Sequence, residues 1–390
     1  MELNLVNIII LLAAAQGLLL ALLLFQKHRA LFANRYLALL MLSYTAVLVH
    51  LVLQDTGLYL DHSYLFLLSG LALAALPLHY LYTQHLIFRS QTISKNEFPH
   101  FIPFIVYEII LLIAIITNQI DLSDGGEVHV SKIPLLLQFY SISVIVLGLF
   151  YLGLSLRLIR RYNDHVKDVV SSIETVQLTW LRNITYTGGI AVSIFCVEEL
   201  FLLDGINLSN FIFSSIGFAV YVYGMGYLGL LKSEIFSERS VEKAMQTVEE
   251  IEISSSGINT VKYERSGLSD ETAKQYLQSL LMVMRDQKTY RNSSLTLTEL
   301  SETLSISPHN LSEVINTKLQ KNFYDFVNGY RLEEVKNDLA DPTKHHLKIL
   351  SIAFDAGFNS KATFNTLFKE QTGKTPTEYR KSVLTSASDE

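Results

Sequence analysis

The sequence predicts an all-α protein, in which a bundle of seven transmembrane helices is followed by a cytoplasmic helical domain. Two observations support this fold class. Of the 390 residues, 49% are apolar and only 17% are charged, whereas a soluble domain averages about 25% charged residues. The first 231 residues contain 25 charged side chains and the remaining 159 contain 43. The chain therefore divides into an apolar part, 1–231, and a polar part that follows it.

The overall composition also argues against several classes of protein. The high apolar fraction excludes a disordered chain and argues against an ordinary soluble enzyme. The net charge of −6 argues against a broadly basic nucleic-acid binder. With one cysteine, Cys196, the chain cannot form an intramolecular disulfide or a CxxC metal or redox site.

Seven apolar segments in the first part have the length of a transmembrane helix, which needs about 20 residues. They are 3–25, 36–53, 64–88, 101–117, 133–156, 184–203 and 211–231. Connections on one side carry ten Lys and Arg residues, and those on the other side carry only Lys132. The positive-inside rule then places the N-terminus outside and the C-terminal part in the cytoplasm. This pattern predicts a multi-pass protein of the bacterial inner membrane, with the first segment retained because no basic residue precedes it.

Ionisable side chains within these spans are candidates for an intramembrane signal site, because they are costly in lipid and usually face a cavity or a partner. Glu108 lies in the fourth span, His79 in the third beside Pro77, and Glu198 in the sixth. For Glu108 the sequence favours a functional or buried polar role. For His79 a hydrogen-bonded position inside the bundle is the stronger interpretation.

The apolar part carries no motif for catalysis or for a bound cofactor. The last span has no lysine for a retinal Schiff base, and HExxH and GxSxG motifs are absent from the chain. The predicted outer connections are too short for a separate sensor domain. The sequence therefore predicts no enzyme, cofactor or metal, and the signal would be a small molecule that enters the bundle or another membrane protein.

Residues 232–268 are predicted to form a cytoplasmic linker between the two parts. The segment is rich in acidic residues and contains a polar break at 254–257. Val241, Met245 and Val248 lie at helical spacing, which leaves a short coiled coil that pairs two chains as an alternative to a solvated tether.

The remaining part, 269–390, has the hydrophobic spacing of short amphipathic helices. Ser269 is predicted to cap the first helix, Thr296 and Glu299 to form a capping box, and Pro308 to occupy the first position of another helix. The predicted elements are a first helix-turn-helix at about 296–319, a linking helix at 323–339 and a second helix-turn-helix at about 347–370.

The stretch 349–380 contains a specific series of motifs. They are Ile352-Ala353, Ala356-Gly357-Phe358, Phe364, Phe368-Lys369, Gly373, Thr375-Pro376 and Tyr379-Arg380. This series resembles the signature of the AraC/XylS family of transcription regulators, and the similarity extends back to about Ser294. The resemblance implies a seven-helix DNA-binding domain whose two recognition helices enter successive major grooves on one face of the DNA.

The resemblance also implies which side chains face the DNA. They are His309, Asn310, Ser312, Glu313 and Asn316 in the first recognition helix, and Lys361, Ala362, Asn365 and Thr366 in the second. Asparagine suits adenine, lysine suits guanine, glutamate can accept from cytosine, and alanine can contact the thymine methyl group. Lys361 and Asn365 are the leading candidates for reading bases. For Glu313 a structural role is an equal alternative, since phosphates repel a carboxylate.

Residues 285–381 contain 14 Lys and Arg against 12 Asp and Glu. Phosphate neutralisation supplies most non-specific affinity, so we expect one domain to bind DNA weakly and a homodimer in the membrane to raise the effective concentration of the second domain.

Together these features predict a membrane-embedded one-component transcription regulator that binds double-stranded promoter DNA and, as an activator, would contact RNA polymerase. The alternative is a membrane receptor or transporter whose cytoplasmic helical domain binds a protein partner. Release of the DNA-binding domain by proteolysis is an alternative to permanent tethering.

Overall fold

The computed structural model describes residues 4–26, 31–56, 58, 62–89, 91–117, 134–174, 176–203, 212–235 and 268–388. Regular structure in these ranges is helical, and β-pairing is limited to one isolated antiparallel bridge between Val170 and Thr296. The predicted all-α class is confirmed. Most of the predicted linker, 232–268, lies outside the described residues, as do the predicted outer connections 118–132 and 204–210.

The chain forms two units. The first comprises Met1–Tyr162 and Leu178–Ser237, and the second comprises Asn163–Gln177 and Glu238–Glu390. The segment Asn163–Gln177, which we call the strap, is predicted from the sequence to be a connection between the fifth and sixth spans. In the structure its contacts place it with the C-terminal part of the chain.

The apolar part contains seven α-helices within its described residues. They are α1 (Leu5–Gln26), α2 (Asn34–Asp55), α3 (Leu67–Phe88), α4 (Ile102–Ile116), α5 (Pro134–Val166), α6 (Thr179–Leu203) and α7 (Ile212–Ile235). Short 3₁₀-helices, Ser63–Phe66 and Lys95–Phe101, precede α3 and α4. In the first unit, α2 packs between α1 and α3, and α7 contacts α1, α2 and α6.

Six segments of the described chain are long and apolar enough to cross a membrane. They are Leu5–Gln26, Asn34–Leu53, Tyr64–Phe88, Lys95–Ile116, Ile142–Val166 and Phe213–Lys232. The predicted sixth span, 184–203, is helical, but α6 is not among these six. Polar side chains interrupt its apolar sequence, with Arg182, Asn183 and Thr185 in its first turns and Glu198 near its end.

The helices of the first unit combine close internal packing with an apolar outer surface. A Cβ atom at Gly226 of α7 would lie 2.5 Å from Cδ1 of Leu20 in α1 and 2.9 Å from the sulfur of Met41 in α2, so α7 packs closely against both helices at this point. Large apolar side chains on the same helices are exposed, among them Leu12, Ile113, Leu149 and Val220. An exposed apolar surface of this extent is typical of helices that contact lipid.

The second unit is built around α11 (Phe323–Ala340). Its other helices are α8 (Asp270–Met282), α9 (Leu297–Leu304), α10 (Pro308–Lys318), α12 (Ile349–Asp355), α13 (Lys361–Thr372) and α14 (Pro376–Ser388). Leu332, Val335 and Leu339 of α11 pack with the buried side chains of α12 and α13, including Phe364 and Phe368. Because these apolar residues recur every three or four positions, they lie on one face of α11. That face forms a core with α12 and α13.

Candidate nucleic-acid interface

The first pair of short helices is α9 and α10, joined by Ser305, Ile306 and Ser307. The Thr296 hydroxyl accepts a hydrogen bond from the Glu299 amide at 3.2 Å, and the Glu299 carboxylate accepts one from the Thr296 amide at 3.1 Å. The predicted capping box is therefore confirmed. These reciprocal bonds satisfy two amides that a helix start leaves without an intrahelical partner.

Helix α10 begins as the sequence predicts. Ser307 is its N-cap and accepts from the Asn310 amide at 3.2 Å, and Pro308 occupies the first turn. Leu311, Val314 and Ile315 are buried, which leaves the polar residues of the helix on the other side.

The second pair is α12 and α13. Gly357 in the connecting turn has a φ of +101°, a value that L side chains rarely adopt. Ser360 caps α13 by accepting from the Thr363 amide at 3.3 Å, and Gly373 ends the helix with a φ of +73°. Phe358 and Phe364 are buried and Leu367 packs against the same core.

The predicted DNA-contacting side chains differ in exposure between the two helices. On α13, Lys361, Ala362, Asn365 and Thr366 are all exposed. On α10, only His309 is exposed, whereas Asn310, Ser312, Glu313 and Asn316 are half-buried. The amide of Asn316 donates to the hydroxyl of Ser312 at 3.3 Å. Within this structure, α13 presents the more accessible polar face.

Several basic side chains of the second unit are paired with carboxylates. Lys318, at the end of α10, bonds Asp270 of α8, and the hydrogen bonds from Lys274 and Lys318 lower the pKa of Asp270 to about 2. Lys288 and Arg291 both bond Glu334 of α11. These pairs neutralise part of the positive charge. Among the described residues, Lys361 of α13 has no carboxylate within ion-pair distance, so its charge is available to a phosphate or a base.

Arg380, in the closing motif Tyr379-Arg380, is hydrogen-bonded within the domain. Its guanidinium donates to the carbonyl oxygens of Leu347 at 3.0 Å and Lys344 at 3.2 Å. Arg380 therefore joins α14 to the segment that precedes α12, and the structure gives it a positioning role.

Comparison with known proteins identifies this part of the chain. Residues 300–382 match the helix-turn-helix domain family. The chain is also similar to proteins described as uncharacterised HTH-type transcriptional regulators. In Staphylococcus aureus strains COL and N315 the identity is 38% over 89 residues, which is 23% of this chain and 12% of each relative. YijO of Escherichia coli strain K12 is 31% identical over 105 residues, which is 27% of this chain and 36% of the relative.

The match is confined to the C-terminal part, and the chain spans about an eighth of the length of the staphylococcal relatives. No solved structure matches the chain significantly. The comparisons support a helix-turn-helix domain in the C-terminal part of the chain, of the kind found in proteins described as transcriptional regulators.

The helix-turn-helix domain contains a buried cation that sequence patterns did not single out. Arg331 of α11 is 1% exposed, and burial lowers its pKa to about 10. Its guanidinium donates to the carbonyl oxygens of Tyr290 and Asn292, both at 2.7 Å, and to both oxygens of Ser171 in the strap, at 3.1 and 3.0 Å. Arg331 thus joins α11, the segment before α9 and the strap.

The three predicted intramembrane residues have separate surroundings. Glu198 of α6 is buried and accepts hydrogen bonds from the amides of Phe213 at 3.0 Å and Ser214 at 3.2 Å. These amides begin α7, so the carboxylate caps that helix and interacts favourably with its dipole. Glu108 of α4 lies against Gly70 of α3, and its Oε1 atom is buried without a hydrogen-bond partner in the described structure.

His79 of α3 is fully hydrogen-bonded inside the bundle. Its Nε2 lies 3.1 Å from the hydroxyl of Thr185 in α6, and its Nδ1 lies 2.8 Å from the hydroxyl of Tyr221 in α7. Thr185 donates its own proton to the Leu181 carbonyl at 2.8 Å. The network therefore assigns the imidazole proton to Nε2 and makes Nδ1 the acceptor from Tyr221. His79 joins three helices.

Replacing Tyr221 by phenylalanine is expected to lower the stability of the helix bundle by about 1–3 kcal/mol, because it leaves the buried Nδ1 of His79 without a donor. Thermal unfolding of the full chain in detergent measures this effect. Tyr223→Phe on the same helix is the matched control, since that side chain is 53% exposed. Equal melting temperatures for the two variants would show that the hydrogen bond to His79 contributes nothing.

Proposed function

We propose that this protein is a membrane-embedded one-component transcription regulator that binds double-stranded promoter DNA in a sequence-specific way. The observation that carries the proposal is the exposed polar face of α13, within a helix-turn-helix domain that shares its chain with a group of long apolar helices. The second polar face, on α10, belongs to the paired arrangement of short helices. Two such faces in one domain suit two successive major grooves.

Each predicted contact on α13 has a chemistry that suits a base edge or a phosphate. Lys361 can donate to guanine or to a phosphate, and Asn365 can form two hydrogen bonds with adenine. The methyl group of Ala362 can contact thymine, and Thr366 can donate or accept. On α10 the corresponding proposed contacts are His309, Asn310, Ser312, Glu313 and Asn316. Their lower exposure supports α13 as the main reader.

The apolar helices would hold the proposed regulator in the membrane and receive its signal. Six segments of membrane-spanning length support insertion into the bacterial inner membrane, and with α6 they make the proposed seven spans. The ten-to-one distribution of basic residues among the connections supports an outside N-terminus and a cytoplasmic helix-turn-helix domain. The signal would reach the bundle directly, as a small molecule or a membrane protein. Glu108, His79 and Glu198 are the polar residues there that it could affect.

The charge of the proposed DNA-binding domain bears on whether one copy of the chain is sufficient to bind DNA. The modest excess of positive charge and the ion pairs on Lys318 and Arg291 limit the affinity of one domain for DNA. A homodimer in the membrane would raise the affinity by placing a second domain near the same site. If the regulator activates transcription, the bound domain would also contact RNA polymerase.

The double substitution Lys361→Ala/Asn365→Ala is expected to abolish site-specific DNA occupancy. Each base contact contributes about 1–3 kcal/mol, so loss of both removes about 2–6 kcal/mol and lowers the affinity by roughly 30-fold or more. Chromatin immunoprecipitation with sequencing of the tagged full chain measures occupancy, and fractionation of the same cells locates the chain in the membrane.

The control is Lys274→Ala/Asn337→Ala, which removes one lysine and one asparagine outside the recognition helices. It should retain the enriched sites. No enriched sites for the wild type, or equal enrichment in both double variants, would contradict DNA reading by α13 and favour a protein partner for the domain.

A further inference from the structure

The strap, Asn163–Gln177, connects two long apolar helices but belongs by its contacts to the helix-turn-helix unit. Helix α5 runs without interruption into its first residues and ends at Val166, and α6 begins at Thr179. The strap is therefore continuous with an apolar helix at each end, and its residues 167–172 hydrogen-bond to the domain that we propose binds DNA.

The strap pairs with the start of α9 through its backbone. The Leu297 amide donates to the Val169 carbonyl at 2.9 Å, and the Ser171 amide donates to the Leu295 carbonyl at 3.1 Å. These two bonds define the antiparallel bridge between Val170 and Thr296. Val169 and Val170 are buried, at 2% and 5% exposure. The strap is thus part of the core of the unit.

The strap also accepts hydrogen bonds from the first turns of α9 and α11, the two helices that flank the recognition helix α10 in the sequence. Leu297 is the first residue of α9 and Tyr324 the second residue of α11, so neither amide has an intrahelical acceptor. The Val169 carbonyl accepts from Leu297, and the Lys167 carbonyl accepts from Tyr324 at 2.9 Å. If the strap were displaced, both amides would lose their acceptors. The first turns of α9 and α11, on either side of α10 in the sequence, would then be less stable.

Side chains strengthen the same contact at Ser171. Its carbonyl accepts from Asn328 and from Arg331, both at 3.1 Å, and its hydroxyl lies 3.0 Å from Arg331 and donates to the Leu295 carbonyl at 2.7 Å. Arg331 is a buried cation, and removal of its acceptors would leave its charge uncompensated in the core. The position of Ser171 and the packing of α11 are therefore interdependent.

We propose that the strap is the site through which the apolar helices regulate DNA binding, with the surface formed by 293–297, Tyr324, Asn328 and Arg331 as its docking site. A movement of α5 relative to α6 changes the position of the strap, and the strap transmits the change to the starts of α9 and α11. The hydrogen bonds involved end on residues around α10 and not on its outward side chains, so the strap can stay docked while DNA is bound. This inference rests on the proposed function.

Coupling of this kind is reciprocal, so DNA binding must in turn affect the strap. The test uses the full chain in lipid nanodiscs and a DNA fragment enriched in the immunoprecipitation experiment above. Hydrogen–deuterium exchange is measured with and without this DNA. We expect DNA to slow amide exchange in the strap and at the first turn of α6 by roughly 5-fold or more, in line with typical coupling between sites.

A spacer variant distinguishes transmission of the DNA-dependent change to α6 from docking of the strap on the helix-turn-helix unit. A flexible six-residue Gly-Ser insertion between Gln177 and Leu178 leaves the docked strap intact but breaks its continuity with α6. The DNA-dependent change should then persist in the strap and disappear from α6. The same insertion within 204–211 is the matched control and should preserve both changes.

A point variant tests the contact itself. Ser171→Ala removes one acceptor of Arg331 and keeps the backbone bridge, so we expect it to weaken DNA binding of the full chain roughly 5-fold. Ser193→Ala in α6, whose hydroxyl donates to the Gly189 carbonyl of its own helix, is the control and should bind as the wild type.

The outcomes distinguish this inference from the proposed function. If no enriched DNA is found, the proposed function fails. If DNA binds but exchange in the strap does not change, or if the spacer variant transmits the change to α6 as the wild type does, the coupling proposal is overturned and the proposed function stands.

Discussion

Arg331→Met is expected to destabilise the helix-turn-helix unit by about 3–5 kcal/mol, which would lower its melting temperature by about 10 °C or more. Methionine fills a similar volume but offers no donor. The buried carbonyl oxygens of Tyr290 and Asn292 and the hydroxyl of Ser171 would lose the hydrogen bonds that Arg331 donates. Each buried acceptor left unsatisfied costs about 1–3 kcal/mol. Thermal unfolding of the full chain in detergent, followed by limited proteolysis of the unit, measures the loss.

Arg285→Met is the matched control for this experiment. Arg285 is 76% exposed and pairs with its neighbour Asp286, and because water screens such a surface pair, its loss should leave the melting temperature nearly unchanged. Arg331→Lys should fall between the two variants, because lysine keeps the charge but supplies three donors in place of five. A melting temperature of Arg331→Met equal to that of Arg285→Met would refute the view that Arg331 holds the unit together.

Gly357→Ala is expected to destabilise the pairing of α12 and α13 by about 3 kcal/mol or more, and to abolish DNA occupancy with it. A Cβ atom at this position would lie 2.9 Å from the Cα atom of Arg291 and would also meet the carbonyl oxygen of Tyr290. These are backbone atoms, which cannot rotate away as a side chain can. A φ of +101° adds conformational strain for an L side chain. Hydrogen–deuterium exchange of α13 and chromatin immunoprecipitation measure the two effects.

Gly373→Ala distinguishes the destabilisation caused by steric contact of a Cβ atom from the destabilisation caused by a positive φ. Gly373 also has a positive φ, +73°, but among the described residues no atom lies within 4 Å of the position that a Cβ atom would take there. Alanine at this position should cost only about 1–2 kcal/mol of conformational strain and should retain occupied DNA sites. If Gly357→Ala and Gly373→Ala lose equal stability, contact with the Tyr290–Arg291 backbone is not what requires glycine in the turn.

Local features of the helix-turn-helix domain were predictable from the sequence. The cap at Ser269, the capping box at Thr296 and the place of Pro308 in the first turn of α10 all agree with the structure. A cap or a turn depends on residues within about four positions of one another, so a short stretch of sequence contains the information that specifies it. The periodic burial of Leu311, Val314 and Ile315 follows for the same reason.

The surroundings of the polar residues in the apolar helices were less predictable. Sequence reasoning marked Glu198, His79 and Glu108 as candidates because charged and polar groups are rare in such helices. It could not show that Glu198 caps α7 or that His79 joins α6 and α7. Those roles depend on which helices are neighbours, and apolar helices of similar composition can pack in many orders.

Composition and hydrophobic spacing were sufficient to predict that the chain is helical, that its first part is apolar, and which stretches of its C-terminal domain form short helices. That the strap belongs to this domain, and that Arg331 is buried against it, follows only from the folding of distant segments onto one another. Ser171 and Arg331 are 160 residues apart in the chain. Backbone carbonyls supply most of the acceptors in this network, and every residue has one. No side-chain pattern encodes such a contact, so only the folded chain reveals it.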